Sequence, residues 1–291
     1  MIRIRPALAL AAVTAALAGC ATAPREPEGC ATALQVEHQV LRFRSLQPLP
    51  NPPATLTPAA AQCSVRKFVA ALETSHGRVI GYKAGLTNPA VQKRFGLDAP
   101  LRGTLLEKMM LKSGAEVPAK FGARPFLEPD LVVEVGSSAI HDAKTPLEAL
   151  ASLRAVVPFI ELPDTVVEDP SKINAPTLIA INVGARLGVL GTPIPLEAGV
   201  NWVEALRDMT VRTTDNTGKE IGAAKGPTIL GHPLNAVIWL AGELKKDGIT
   251  LKPGDLLSLG AFGQGSAEAG KTVTVRYEGL PGNPAVSVTF R

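Results

Sequence analysis

Hydrophobic and polar residues alternate in two different ways along this chain, and the change divides it into a helical portion and a larger β portion. Between residues 31 and 45, apolar residues recur at intervals of three and four, which predicts a helix. A second helix is predicted from Thr57, which can cap it with Pro58 at its first position, to about Ser75. Beyond residue 78, short apolar runs between Gly and Pro turns predict strands.

The β portion contains nine predicted strands and two predicted helices. The predicted strands cover residues 79–83, 115–117, 127–135, 156–162, 179–190, 209–214, 256–259, 271–277 and 285–290. The helices are predicted at about 146–155 and 233–247, and the second opens at Pro233 and has lysines in its last turn. Many strands with few helices predict an α+β domain with a large β core.

The first 19 residues have the pattern of an export signal. Arg3 and Arg5 precede an apolar run over residues 7–19. That run is shorter than the ~20 residues that a membrane-spanning helix needs, and its length is typical of a signal peptide. The signal is followed by Cys20, after the sequence Leu-Ala-Gly.

These four residues resemble the lipobox of bacterial lipoproteins, which implies cleavage before Cys20 and a lipid on its thiol. The alternative is a plain secretory peptide cut near Ala21 or Ala23. Because Ala21 rather than Asp follows the cysteine, the resemblance implies an outer-membrane lipoprotein that faces the periplasm. Residues 20–29 would then be the lipidated cysteine and a flexible tether.

Composition excludes some partners. Removing residues 1–19 leaves about 270 of the 291 residues, enough for one large domain or two small ones. The net charge of +4 falls to about +2 when Arg3 and Arg5 leave with the signal. Aromatic residues are only 4% of the chain and are not interleaved with a basic run, so we expect no binding of nucleic acid.

Two of the three cysteines, Cys30 and Cys63, remain after Cys20 is assigned to the lipid. In an exported protein this pair predicts one disulfide, and the alternative is two buried free thiols. The four histidines lie far apart in the sequence, and none has the spacing of a zinc site with another His or Cys.

Acidic residues near the predicted strand 127–135 are the strongest chemical signal. Side chains alternate along a strand, so Glu128 and Asp130 share one face. Two buried carboxylates need a partner, and Mg²⁺ and Mn²⁺ prefer carboxylate oxygens. The alternative is a half-exposed strand with an acidic outer face. Glu161, at the end of another apolar strand, makes a site of three carboxylates possible.

Several motifs resemble those of the 2-keto-4-pentenoate hydratases, which belong to the fumarylacetoacetate hydrolase superfamily. The resemblance covers about residues 30–291 and includes Gly81-Tyr-Lys-Ala-Gly-Leu-Thr87, Glu128-Pro-Asp130, Pro158-Phe-Ile-Glu161 and Leu230-Gly-His-Pro-Leu-Asn-Ala-Val-Ile-Trp-Leu240. It implies a fumarylacetoacetate-hydrolase-like, mixed and partly rolled β domain over residues 79–291. The N-terminal helical portion would cover residues 30–78.

The resemblance also implies the site and its chemistry. Mg²⁺ or Mn²⁺ would be held by Glu128, Asp130 and Glu161, and Lys83 would point into the pocket as a catalytic residue. The alternative for Lys83 is a side chain that extends from the strand end into solvent. The substrate would be a small 2-oxo acid that chelates the metal through its carboxylate and 2-oxo oxygens. Asp98, in a segment that can cover the pocket, is a second catalytic candidate.

Other positions depart from the family pattern. Asp130 replaces the more usual Glu and is shorter by one methylene, and the segment 181–184 lacks the family sequence. Leu259 stands where the family often has a hydroxyl, and the segment 100–103 lacks the acid that the family often has there and gains Arg102. We expect Arg102 and Gln264 to bind a different acid in compensation. His232 precedes Pro233, where it either binds substrate or caps the helix.

The sequence therefore predicts a metal-dependent hydro-lyase that adds water to a small 2-hydroxy-dienoate or 2-oxo-enoate. One alternative is an acylpyruvate hydrolase or oxo-dioate decarboxylase of the same superfamily. Another is a lipoprotein that binds a small acid without catalysis, and a structural role in the envelope is a third. The resemblance also implies a homo-oligomer.

Overall fold

The computed structural model of the chain describes residues 25–291. The predicted signal peptide and Cys20 lie outside the described residues. Within residues 25–291 there are seven α-helices: α1 (Ala33–Arg44), α2 (Pro58–His76), α3 (Pro89–Arg94), α4 (Pro146–Ala151), α5 (Ala175–Ala180), α6 (Trp202–Asp208) and α7 (Pro233–Lys246). None of these helices combines the length and hydropathy that crossing a membrane requires.

The same residues form thirteen strands in two mixed sheets. The strands are β1 (Val79–Gly85), β2 (Leu101–Leu106), β3 (Met110–Lys112), β4 (Ala115–Val117), β5 (Glu128–Val135), β6 (Leu153–Leu162), β7 (Leu187–Leu190), β8 (Ile194–Pro195), β9 (Thr210–Asp215), β10 (Glu220–Lys225), β11 (Leu256–Ser258), β12 (Thr272–Glu278) and β13 (Ala285–Phe290). The larger sheet has the order β2-β1-β11-β5-β6-β7-β3, with β8 paired to β6. The smaller sheet has the order β10-β9-β12-β13-β4. The fold is thus α+β with curled sheets, as predicted.

The N-terminal helices begin where the sequence predicts. The Thr32 side chain caps α1 in a capping box with Gln35, and the Thr57 side chain caps α2. A disulfide joins Cys30 to Cys63, with their Cα atoms 5.5 Å apart, and so ties the start of α1 to α2. An apolar cluster holds the helices against β2: Phe43, Val65, Phe68, Val69, Leu72, Leu106 and Met109.

The main core lies between the two sheets and α7. Tyr277 of β12 is fully buried there, and its hydroxyl contacts the backbone of the larger sheet. It accepts a hydrogen bond from the Phe159 N–H (3.0 Å) and lies against the carbonyl oxygens of Phe159 and Asp130. The hydroxyl thus joins the smaller sheet to β5 and β6, where the predicted site lies.

The prediction of one strand over residues 179–190 is wrong in its first half. Asn174 caps α5 by accepting a hydrogen bond from the Thr177 N–H (2.9 Å), so the apolar residues up to Ala180 are helical. A left-handed turn follows at Asn182, Val183 and Gly184, with φ of 57°, 51° and 69°. Only β7 is extended, because the turn interrupts the apolar run.

Candidate active site

The pairing of β5 with β6 brings the predicted carboxylates together. The antiparallel register places Glu128 directly opposite Glu161, and Asp130 opposite Phe159. Opposite residues lie on the same face of a sheet, about 4.5–5.5 Å apart at Cβ. Glu128 and Glu161 both line a cavity of about 260 Å³. The end of β1, the start of α3 and the segment 260–264 complete its wall.

Asp130 lies behind this wall. It is completely buried, and it is absent from the residues that line the cavity. Its Oδ2 accepts a hydrogen bond from the Ser258 hydroxyl (2.6 Å), and its Oδ1 accepts from the Gly260 N–H (2.9 Å) and the Leu131 N–H. The carboxyl group of Asp130 therefore accepts three hydrogen bonds from protein donors.

Lys83 supplies the positive charge of the site. It is 3% exposed, and its Nζ forms an ion pair with Glu161 and donates a hydrogen bond to the Val183 carbonyl oxygen (3.0 Å). Gly103 lies opposite Lys83 on β2, where an added Cβ would come within 2.8 Å of the lysine Cγ. Lys83 does not itself line the cavity, and its ammonium reaches the site through Glu161.

The carbonyl group that Lys83 contacts belongs to a strained turn at residues 182–184. Val183 is β-branched and has a positive φ, a conformation that costs of order 1–3 kcal/mol. The neighbouring Asn182 side chain fixes the turn to β2, where it accepts from the Thr104 N–H (2.7 Å) and donates to the Thr104 carbonyl oxygen (2.8 Å). The departure from the family sequence at 181–184 thus lies beside the lysine.

The carboxyl groups of the half-buried Glu128 and the fully buried Asp130 have strongly perturbed pKa values. Burial raises the pKa of Glu128 to about 8, and the neighbouring charge of Glu161 adds to the effect. Burial and Glu161 also raise the pKa of Asp130 to about 7, against the hydrogen bond from Ser258. Among the described residues, these two acids and Glu161 lie near one ammonium, that of Lys83.

The donor set fits a hard divalent cation. Carboxylate oxygens at the wall of a small cavity are the ligands that such cations prefer, and the excess of acids over cations favours added positive charge. In the described residues, the oxygen atoms of the three carboxyl groups do not all lie within 4.8 Å of one another, and Glu161 is paired with Lys83. The group of potential ligand atoms within 4.8 Å of one another there is Glu26, Cys30 and Cys63. Its cysteines form the disulfide and are not available as thiolates.

Of three further predicted residues, Gln264 lines the cavity, whereas Asp98 and His232 do not. Gln264 is exposed at the cavity rim, where it reaches the site. Asp98 is exposed in the loop between α3 and β2 and is not among the cavity-lining residues. His232 caps α7: its Nδ1 accepts from the Leu234 N–H (3.0 Å), and its Nε2 lies 2.9 Å from the Val203 carbonyl oxygen. Both ring nitrogens of His232 are therefore used by the backbone.

Arg102 points away from the carboxylates. It neighbours Gly103 on β2, and because Gly103 faces Lys83, Arg102 faces the opposite side of the sheet. There it forms an ion pair with Asp247 and lines a separate cavity of about 420 Å³ against α2. We therefore leave Arg102 out of the proposed site.

Polar residues at the site that were not predicted as site residues include Thr87 and Ser258. The Thr87 side chain is 3% exposed at the cavity wall, and it belongs to the motif that identifies Lys83. Ser258 is fully buried beside Asp130. The position of Thr87 in the lysine motif is a usable signal, whereas a single serine in an apolar strand is not.

Comparison with known proteins gives the family. No family model matches the chain. A 2-keto-4-pentenoate hydratase of Burkholderia vietnamiensis is 30% identical over 248 residues, which cover 81% of this chain and 88% of that protein. The chain belongs to the 2-keto-4-pentenoate hydratase family. A second relative, the TodF product hydratase of Pseudomonas putida, is 31% identical over 204 residues, which cover 70% of this chain and 74% of that protein.

Solved structures show the same fold as this member of the hydratase family. A 4-oxalocrotonate decarboxylase from Pseudomonas putida G7, complexed with magnesium and adipate, has a TM-score of 0.77 at 23% identity and covers 89% of this chain and 96% of its own. A fumarylpyruvate hydrolase from Pseudomonas aeruginosa, in complex with Mn²⁺ and pyruvate, has a TM-score of 0.52 at 16% identity and covers 72% and 89%. At these identities the likeness concerns the fold alone.

Proposed function

We propose that the chain is a hydro-lyase that adds water to a small 2-hydroxy-2,4-dienoate, through its 2-oxo-3-enoate tautomer, to give a 4-hydroxy-2-oxo acid. One observation carries the proposal: Glu128 and Glu161, backed by the buried Lys83, meet at one small cavity in a member of the hydratase family. The cavity of about 260 Å³ suits a substrate of a few carbon atoms.

The proposal includes a divalent cation, Mg²⁺ or Mn²⁺, held at Glu128 and Glu161 with Asp130 close behind. Structural neighbours that carry magnesium, calcium or manganese support this choice of ion class. When bound, the cation supplies Lewis acidity that stabilises negative charge on the 2-oxo oxygen of the substrate.

The chain's own residues bind and orient the substrate. Lys83 holds Glu161 in place through the ion pair and balances its charge. The hydroxyl of Thr87 and the amide of Gln264 are among the polar groups available to the substrate's oxygen atoms. Leu86, Val91 and Phe262 form an apolar wall against its hydrocarbon end and exclude bulk water.

A turnover assay tests the proposal. Purified chain is mixed with 2-hydroxypenta-2,4-dienoate and Mn²⁺, and the loss of dienoate absorbance is followed, since hydration removes the conjugation. Glu128→Gln is expected to lower kcat by about 100-fold or more. Glu134→Gln is the matched control, because Glu134 lies on the same face of β5 but pairs with the exposed Arg154. Equal activity of the two variants would contradict the proposed site.

We also propose that residues 1–19 are removed and that a lipid on Cys20 anchors the protein to the outer membrane, facing the periplasm. The lipobox-like sequence supports this, and so does the Cys30–Cys63 disulfide, because disulfides persist in oxidising compartments. Labelled palmitate is expected in the chain and not in Cys20→Ser. Label in both forms, or in neither, would contradict the anchor.

The family resemblance supports one more proposal, that the chain assembles as a homo-oligomer. Light scattering during size-exclusion chromatography measures the mass in solution. A mass of a single 30.4 kDa chain or less would contradict the assembly.

A further inference from the structure

Asp130 stands apart from the other two acids of the site. Glu128 lies two residues earlier on the same face of β5 and lines the cavity, as does Glu161 across from it. Asp130 has no exposed surface, and it is not among the residues that line the cavity. Its side chain is also one methylene shorter than that of a glutamate.

Protein donors already use most of the acceptor capacity of the Asp130 carboxylate. A carboxylate has about four lone-pair sites. Three donors occupy sites on Asp130: the Gly260 N–H, the Leu131 N–H and the Ser258 hydroxyl. Turning the carboxylate toward the cavity would leave a buried N–H and a buried hydroxyl without partners, which is unfavourable.

Gly260, one of the three donors to Asp130, is also fixed in place. Gly260 has a φ of +113°, and an added Cβ would lie 2.0 Å from the Thr87 Oγ1. Gly260 therefore packs directly against Thr87 in the cavity wall, and its N–H donates to Asp130. The Asp130 carbonyl oxygen in turn lies against the buried Tyr277 hydroxyl. Asp130 thus connects β5 and the smaller sheet to the segment that carries Gln264.

From these contacts we infer that Asp130 is a positioning residue and not a metal ligand: it holds the cavity segment 260–264 in place, while Glu128 and Glu161 are the protein's direct ligands. The inference rests on the proposed function for the metal itself. The remaining coordination positions of the cation are then left to water and to the substrate. Ser258, which fixes the Asp130 carboxylate from β11, is part of the same arrangement.

Metal titration tests the first half of the inference. Mn²⁺ is titrated into the purified full chain and its variants by calorimetry. Asp130→Asn, which keeps the size of the side chain, is expected to change the Kd for Mn²⁺ by less than about 3-fold. Glu128→Gln is expected to weaken it by at least about 100-fold. A loss in Asp130→Asn equal to that in Glu128→Gln would overturn the inference.

Hydrogen exchange tests the second half without any metal. In chelator, Asp130→Ala, which removes the acceptor of the Gly260 N–H, and Ser258→Ala are expected to speed exchange of the Gly260 amide by 10-fold or more, whereas Glu128→Gln leaves it unchanged. Unchanged exchange in the first two variants would overturn the positioning role. If the unaltered chain binds no Mn²⁺, the proposed metal chemistry fails, and the exchange result still decides the role of Asp130.

Discussion

Removing the ammonium of Lys83 is expected to destabilise the metal-free protein strongly. Both Lys83 and Glu161 have side chains that are 3% exposed. Breaking a buried pair by removing one partner leaves an uncompensated buried charge, which typically costs about 3–5 kcal/mol. In Lys83→Met the thioether fills similar space, so the loss is mainly electrostatic. It includes the hydrogen bond to the Val183 carbonyl oxygen.

The structure offers a matched control in a second lysine pair. Lys67 and Glu26 also form an ion pair, at 2.7 Å, but their side chains are 32% and 61% exposed. Such exposed pairs contribute about 0–1 kcal/mol, so Lys67→Met should be nearly neutral. For a domain of this size 1 kcal/mol corresponds to about 2–4 °C in Tm, so Lys83→Met should lower Tm by about 10 °C.

Scanning calorimetry in chelator at pH 7.5 measures both variants against the unaltered chain. Adding Glu161→Gln to Lys83→Met should recover part of the lost Tm, because it removes the unpaired charge. Mn²⁺ should also recover part of it by supplying positive charge at the same acids. If Lys83→Met lowers Tm no more than Lys67→Met does, the buried ion pair does not contribute the stability expected of it.

Three further predictions concern pH, the disulfide and one glycine. The folded state raises the pKa of Glu128 to about 8, so its protonated form contributes stability that is full below pH ~4.5 and lost as the pH rises through 8. In urea unfolding without metal, the free energy of unfolding of Glu128→Gln should therefore fall less between pH 6 and pH 9 than that of the unaltered chain. An equal fall in both proteins would count against the raised pKa. Replacing Cys30 and Cys63 by Ser removes a cross-link over 33 residues and should cost about 3–4 kcal/mol, and an unchanged unfolding midpoint would exclude this. Gly260→Ala should abolish turnover because its Cβ has no room, whereas Gly263→Ala, with open space, should remain active; equal turnover would contradict the packing at the wall.

The sequence predicts helices most accurately where a periodic apolar pattern is combined with a capping residue. The first two helices follow from apolar spacing and from Thr57 with Pro58. Alternation along β5 and β6 placed Glu128 and Asp130 on one face, and the register adds Glu161 to it. These features are local, so a single segment contains the information that determines them.

Features that depend on other segments were not predictable in the same way. Alternation says which face Asp130 lies on, but its burial depends on donors from the distant segment 258–260. The side of the sheet that Arg102 faces depends on the register of β2 with β1, and β2 was not predicted. The apolar run after residue 178 has the composition of a strand, but the helix cap at Asn174 and the left-handed turn at Asn182 prevent its first half from being extended.

We propose that the chain hydrates a small dienoate with a divalent cation at Glu128 and Glu161. The most direct measurement is an NMR time course of the purified chain with 2-hydroxypenta-2,4-dienoate, in Mg²⁺ and in chelator. We expect the signals of 4-hydroxy-2-oxopentanoate in Mg²⁺ and none above the uncatalysed rate in chelator. Substrate that persists in Mg²⁺, or equal product formation in chelator, would contradict it.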